Sequence, residues 1–325
     1  MGFIPDSVYL HVAILVVCFG VLAKSADFLV DGAVGVAHRL RLPKVIIGIV
    51  LVSFMTTAPE FTVSIISALS GKPEIALGNA VGSVITDDAL ALALGILVAP
   101  AAIAVDSKLL KTTGLFLIAV DLLSFLLSLN GTVSRGEGIV LLLLLAGYLT
   151  VLVVVQKRRP REAVLEAEEH YHPTSTHGHI LRLLAGVVGV LVASDFLVNS
   201  AEYVARFAGV SPAVIGLTLV ALGTSVPEIA TCIVAARKGH GDLAFGDIIG
   251  ADILNILWIV GASATANPLV VGRKVTSFSF PAMIVVVLVM LVLARIGFRF
   301  ERWKGAVLLV LYIAYIAATI ALFYA

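Results

Sequence analysis

The chain repeats itself, and that repeat limits its folds more than any other feature. At an offset of 168 residues, Ala26–Val30 (ADFLV) returns as Ser194–Val198 (SDFLV). Ile47-Gly48 returns as Ile215-Gly216, and Thr56–Glu60 (TTAPE) as Thr224–Glu228 (TSVPE). Gly71, Gly78 and Gly82 return as Gly239, Gly246 and Gly250. The alignment runs without a gap from Asp27 to Asp88, and about a third of its positions are identical.

The meaning of the duplication depends on what surrounds it. Ten apolar runs occupy about 8–30, 43–70, 74–100, 112–129, 137–156, 180–206, 211–236, 242–268, 276–296 and 303–324. Most are close to the roughly 20 residues that an α-helix needs to cross the hydrocarbon core. With 60% hydrophobic and 13% charged residues, the chain has too little charge to coat a water-facing surface. The runs are long and continuous, unlike the short alternating strands of a membrane β-barrel. The first run lacks a basic leader and carries part of the repeat, so it reads as a retained span. Net charge is +1, which leaves no basic excess for nucleic acid. Cys18 and Cys232 both lie in apolar stretches and read as core residues, not a disulfide.

Each repeat belongs to a half with five spans, and five is odd. The second half therefore enters the bilayer from the opposite side, the plan of many secondary transporters. The expected fold is an all-α polytopic membrane protein with ten transmembrane helices as two inverted five-helix repeats. The halves are 1–156 and 180–325, joined by a linker at 157–179, with the repeats at about 43–100 and 211–268.

Sixteen of the 22 Lys and Arg lie in loops joining odd to even spans, five lie opposite, and Lys24 sits inside the first span. The positive-inside rule then puts both termini outside the cell membrane and the central loop in the cytoplasm. That loop carries His170, His172, His177 and His179 without a zinc-finger spacing, and reads as a solvated linker.

The repeated motifs carry the chemistry. Proline lacks an N–H and disfavours helix at the residue before it, so each span should break at Pro59 or Pro227 and restart there. The break frees carbonyls around Thr56 and Thr224, which are tolerable at membrane depth only if they line a cavity or are buried in protein. With Thr57, Ser225, Glu60 and Glu228 they form an all-oxygen set, the ligand type of hard cations such as Ca²⁺ and Na⁺. Two carboxylates at matching points of an inverted repeat should converge on one site. The next spans read GNAVGSVITDD (Gly78–Asp88) and GDIIGADILN (Gly246–Asn255). Their G-x-x-x-G spacing suits close helix packing. Their polar residues Asn79, Ser83, Asp87, Asp88, Asp247, Asp252 and Asn255 supply a second wall. Intramembrane acids read as functional by default. Asp27 and Asp195 are repeat-matched and read as gating or packing residues; Asp121 has no repeat partner.

These motifs resemble the calcium/cation antiporter superfamily, in particular its sodium/calcium exchanger branch. The branch's pattern is roughly G-T-S-x-P-E followed by G-N/D-x-x-G-S-N/D-x-x-N, and Gly223–Glu228 and Gly246–Asn255 fit it almost throughout. The resemblance implies alternating access at one midplane site and exchange of Ca²⁺ for Na⁺. It carries Ca²⁺ ligation to Glu60, Glu228 and Asp252, and hydroxyl or carbonyl ligation to Thr56, Thr224, Ser225 and Ser83. Met55, Val84, Asp87 and Ala251 depart from the pattern, and the loss of Asn and Ser bears on the sodium sites. Asp87 or Asp88 becomes a candidate proton carrier, because removal from water penalises the charged form of a carboxylate. The transported ions and the bilayer are then the only partners expected, with no cofactor and no catalysis. H-E-x-x-H, G-x-S-x-G and P-loop sequences are all missing. A Ca²⁺/H⁺ exchanger is the nearest alternative, and a divalent cation channel a more distant one.

Overall fold

The computed structural model describes residues 7–40, 42–157, 176–209 and 221–324. The helices are α1 Val8–Leu40, α2 Lys44–Thr56, α3 Ala58–Leu69, α4 Pro73–Val98, α5 Ser107–Ser128 and α6 Arg135–Lys157 in the first half. The second half has α7 Thr176–Phe207, α8 Ala221–Thr224, α9 Val226–Arg237, α10 Gly241–Ala266, α11 Val275–Arg295 and α12 Arg302–Tyr324. Eight of these are long and apolar enough to cross a bilayer alone, and α2 with α3 forms one further span bent by 47°. The counterpart of that bent span ends in α8 and α9, and its beginning lies outside the described residues. The chain is an all-α polytopic membrane protein.

The inversion is visible in the packing. Helices α1 and α7 lie antiparallel. A Cβ at Gly186 would strike Leu29, one at Gly189 would strike Ser25, and one at Gly32 would strike Leu183. As the number rises on one helix it falls on the other, as two-fold-related first spans require. Conversely, α2 and α10 run parallel, with Val45 against Gly246 and Ile49 against Gly250. The short strands agree. β1 (Ile103–Ala104) pairs with β4 (Arg299–Phe300), and both lie in odd-to-even loops. β2 (Thr132–Val133) pairs with β3 (Leu269–Val270), and both lie in even-to-odd loops. Loops that must share a face by parity are therefore joined to each other.

The core is formed by the repeated spans. Helix α10 is almost wholly buried and α4 largely so, whereas α1, α7 and α12 are mostly exposed. Small residues make this possible. A Cβ at Gly48 would sit 2.6 Å from the Leu243 carbonyl oxygen, and one at Gly250 would sit 2.6 Å from Ser53 Oγ. The backbones touch, as the G-x-x-x-G spacing predicts. The repeat counterparts of Val45 and Ile49, at 213 and 217, lie outside the described residues. The turns after α3 and α9 also match: Gly71 (φ 72°) and Gly239 (φ 78°) adopt the left-handed conformation that glycine tolerates without strain.

One sequence boundary needs correction. The linker ends earlier than 179, because α7 begins at Thr176 and takes in His177 and the buried His179. His170 and His172 lie outside the described residues. Asp27, read as a gating or packing residue, is ion-paired: Lys238 Nζ lies 2.6 Å from it and Lys24 Nζ 3.1 Å. Its repeat mate Asp195 is exposed and accepts a hydrogen bond from Asn199 on its own helix.

Candidate cation-binding site

The helix breaks fall at Thr57 (φ −75°, ψ 3°) and Ser225 (φ −83°, ψ 5°), which are 168 residues apart. Both helices restart one residue before the proline, at Ala58 and Val226, not at the proline itself. Proline then occupies the second helical position, where its missing N–H costs nothing. Four residues earlier, Met55 and Gly223 lose the donor that an unbroken helix would give their carbonyls. One residue later come Glu60 and Glu228, both fully buried in the first turn of α3 and α9.

The two glutamates lie within electrostatic range of each other. Asp87 faces Glu60 and Asp247, and Glu228 faces Asp87 and Asp247. Asp252 and Asp88 adjoin this group and face each other, with Asp121 of α5 also in range. Asp87 and Asn255 are again 168 apart, and each begins a widened π-type turn, Asp87–Ala91 and Asn255–Val260. π-type turns recur at functional sites. Here they bring the polar face of α4 and α10 to the broken helices.

Among the hydrogen bonds that cross between the halves, two involve the repeat-matched motif threonines. Thr56 Oγ1 donates to Asp247 Oδ1 at 3.4 Å, and Thr224 Oγ1 donates to Asn79 Oδ1 at 3.2 Å. Each threonine belongs to one repeat and each acceptor to the other. Asn79 and Asp247 are then fixed from their own side. Asn79 Nδ2 donates to Ser64 Oγ (3.0 Å) and to the Glu60 carbonyl (3.2 Å), and Thr231 Oγ1 donates to Asp247 Oδ2 (2.9 Å). Ser225 Oγ donates to Glu60 Oε1 at 3.4 Å. Ser64 and Thr231 escaped the sequence reading, although both stand one turn beyond a motif glutamate. Trp258 was missed too: it stacks on Phe61 (centroids 4.2 Å, 13°) and contacts Phe54 (5.0 Å), covering the segment that holds the first motif.

Many buried oxygens have no donor among the described residues. They include Glu60 Oε2, both Glu228 oxygens, Asp87 Oδ1, both oxygens of Asp88 and Asp252, Ser83 Oγ and Thr57 Oγ1. Asn255 has neither side-chain group paired. Among the described residues the buried basic side chains are His11, His179 and Lys304, each in the opening turns of its helix. A buried charge without a partner is costly, so the arrangement calls for cations from outside. No three described His, Cys, Asp or Glu side chains converge tightly enough to hold an ion alone. Hydroxyl, amide and freed carbonyl oxygens must complete a shell, as the six to eight oxygens of Ca²⁺ require. Cys232 is fully buried against Gly95 and is a core residue.

The profile of the sodium/calcium exchanger protein family matches residues 10–154 and 178–321, nearly the whole of both halves. This chain belongs to the sodium/calcium exchanger family. Among its relatives, the sodium/calcium exchanger MaX1 of Methanosarcina acetivorans is 28% identical, with 93% of this chain and 95% of the relative covered. The inner membrane protein YrbG of Escherichia coli is 32% identical, with 85% and 86% covered. The structure of the sodium-calcium exchanger NCX_Mj soaked with Na⁺ and Sr²⁺ superposes with a TM-score of 0.83, covering 96% of this chain and 99% of that one at 28% identity. The fold of that exchanger is thus common to both chains.

Proposed function

We propose that this exchanger-family antiporter moves Ca²⁺ against Na⁺ by alternating access, with Glu60 and Glu228 as the shared ligands. The observation that carries this reading is the pair of buried glutamates, one on each restarted helix, three of whose four carboxylate oxygens have no donor among the described residues. Together they carry −2, the charge that one Ca²⁺ neutralises. Thr56, Thr224, Ser225 and Ser83 supply neutral oxygens, and Asp87 and Asp252 the further negative charge that monovalent counter-ions need. Either one divalent or several monovalent cations satisfy the carboxylates. The empty, doubly charged site is too costly in the bilayer to change face.

Proton coupling is the second reading, favoured by Asp87 at a position where the family pattern has Asn. Ca²⁺ uptake into proteoliposomes, driven by a Na⁺ gradient or by a pH gradient alone, separates the two. Uptake driven by Na⁺ and indifferent to pH eliminates the proton version. Glu60→Gln and Glu228→Gln should each abolish exchange while leaving a folded protein by circular dichroism; normal transport by either refutes the site.

The basic loops orient the chain with both termini outside and the central segment cytoplasmic. Single cysteines at Asn130 and Ser70, in even-to-odd loops, should react with an impermeant reagent from outside intact cells, and one at Arg299 should not.

A further inference from the structure

We propose that Lys238, Asp27 and Asp31 form a one-sided ion-pair latch that closes the face bearing the basic loops and must break when that face opens. The inference rests on the alternating-access reading above. Lys238 Nζ lies 2.6 Å from Asp27 Oδ1 and 2.6 Å from Asp31 Oδ1. The two aspartates are one helical turn apart on α1, so a single ammonium bridges both. Lys238 caps the C-terminal end of α9, whose first turn holds Glu228. The twelve-residue helix therefore carries a site glutamate at one end and the latch at the other.

The latch joins two different bodies. Helices α1 and α7 pack on each other through backbone contacts at Gly32 and Gly186, and most of their residues lie outside the buried core. Helices α9 and α10 belong to the buried centre. Transporters of inverted design work by moving one bundle against another around the site, and here Lys238 ties the outer pair to the site helix. Beside it, Lys44 Nζ contacts His240 Nδ1 at 3.1 Å, which closes the same corner between α2 and the turn after α9.

Among the described residues, the repeat-related positions of the opposite face form no equivalent ion pair. The positions related to Lys238, Asp27 and Asp31 are Ser70, Asp195 and Asn199, of which only Asp195 is charged. Asn199 bonds to Asp195 within α7. The two faces are therefore unequal by sequence, and the latch favours the state closed at the basic loops. Burial disfavours the Lys238 ammonium, but Asp27 and Asp31 outweigh it and hold its pKa above the usual lysine value. The latch stays charged across the physiological range.

The test uses the full chain in oriented proteoliposomes, with Cys18 and Cys232 replaced by alanine and Ala235→Cys as reporter. Ala235 is buried one turn before Lys238. Partly exposed pairs contribute modestly, so Lys238→Gln should raise the rate at which an impermeant thiol reagent modifies the reporter from the latch face by about threefold to tenfold. Asp27→Asn with Asp31→Asn should do the same, and Lys238→Arg should stay near the parent. High salt should speed modification in the parent and not in Lys238→Gln. In active protein the apparent Ca²⁺ affinity should tighten on the latch face and weaken on the other. Equal modification rates in the parent and both latch-breaking variants overturn the latch. The thiol reaction needs no transport, so a latch that responds as expected in a protein without Ca²⁺ flux would count against the antiport reading alone.

Discussion

At the residue scale, the site is a set of oxygens held by hydroxyls. Thr231 donates to Asp247, and Thr56 donates to the other oxygen of the same carboxylate. Thr231→Val keeps the shape and removes one donor from a buried carboxylate, a loss of about 1–3 kcal/mol. It should lower the melting temperature in detergent and raise the Ca²⁺ concentration for half-maximal exchange, without abolishing turnover. His240 is a separate case, outside the spans. Burial and the neighbouring Lys44 hold its pKa below the usual 6.5, against the opposing pull of Asp242. The folded state then binds fewer protons than the unfolded state as pH falls through 6.5. Stability is complete above that value and declines below it. A melting curve taken between pH 8 and 5 should show this decline, and His240→Gln should flatten it. Glu60 and Glu228 were legible because proline, glutamate and hydroxyls recur together at a fixed offset. Ser64 and Thr231 were not, since a hydroxyl one turn along an apolar helix looks the same whether it supports a site or bonds its own backbone. The partner of Asp27 was hidden for a different reason: Lys238 is 211 residues away in sequence and adjacent only in the fold.

At the scale of elements, the broken spans follow directly from Pro59 and Pro227. The one-residue shift of the restart follows because proline fits the first turn of a helix without loss. The widened turns at Asp87 and Asn255 had no such marker. Nothing in local composition separates a π-type turn from α-helix, and only their spacing of 168 ties them together. The close approach of α2 and α10 gives a sharp prediction. Gly250→Ala would push a methyl into Ser53 and Ile49, so it should destabilise the protein by about 1–3 kcal/mol or prevent its accumulation. Gly20→Ala, with open space around it on α1, should be neutral or stabilise by up to about 1 kcal/mol. Similar melting temperatures for the two variants would show that the helices do not meet as described.

At the scale of the whole molecule, the odd span count per half predicted the inversion, and the antiparallel α1 and α7 and the parity of the strand pairs display it. What composition could not reveal is the inequality of the halves. Asn79 corresponds to Asp247, Val84 to Asp252 and Asp88 to Ile256 at the repeat offset. The crossed bonds from Thr56 to Asp247 and from Thr224 to Asn79 have a consequence for assembly. Each half brings a threonine whose acceptor the other half provides, so neither can finish its own pocket. A gene cut within 158–175 and expressed as two pieces would yield fragments inert apart and active together. Two copies of the first piece would set both threonines against asparagines, and two copies of the second would set both against aspartates, across a seam built for one of each.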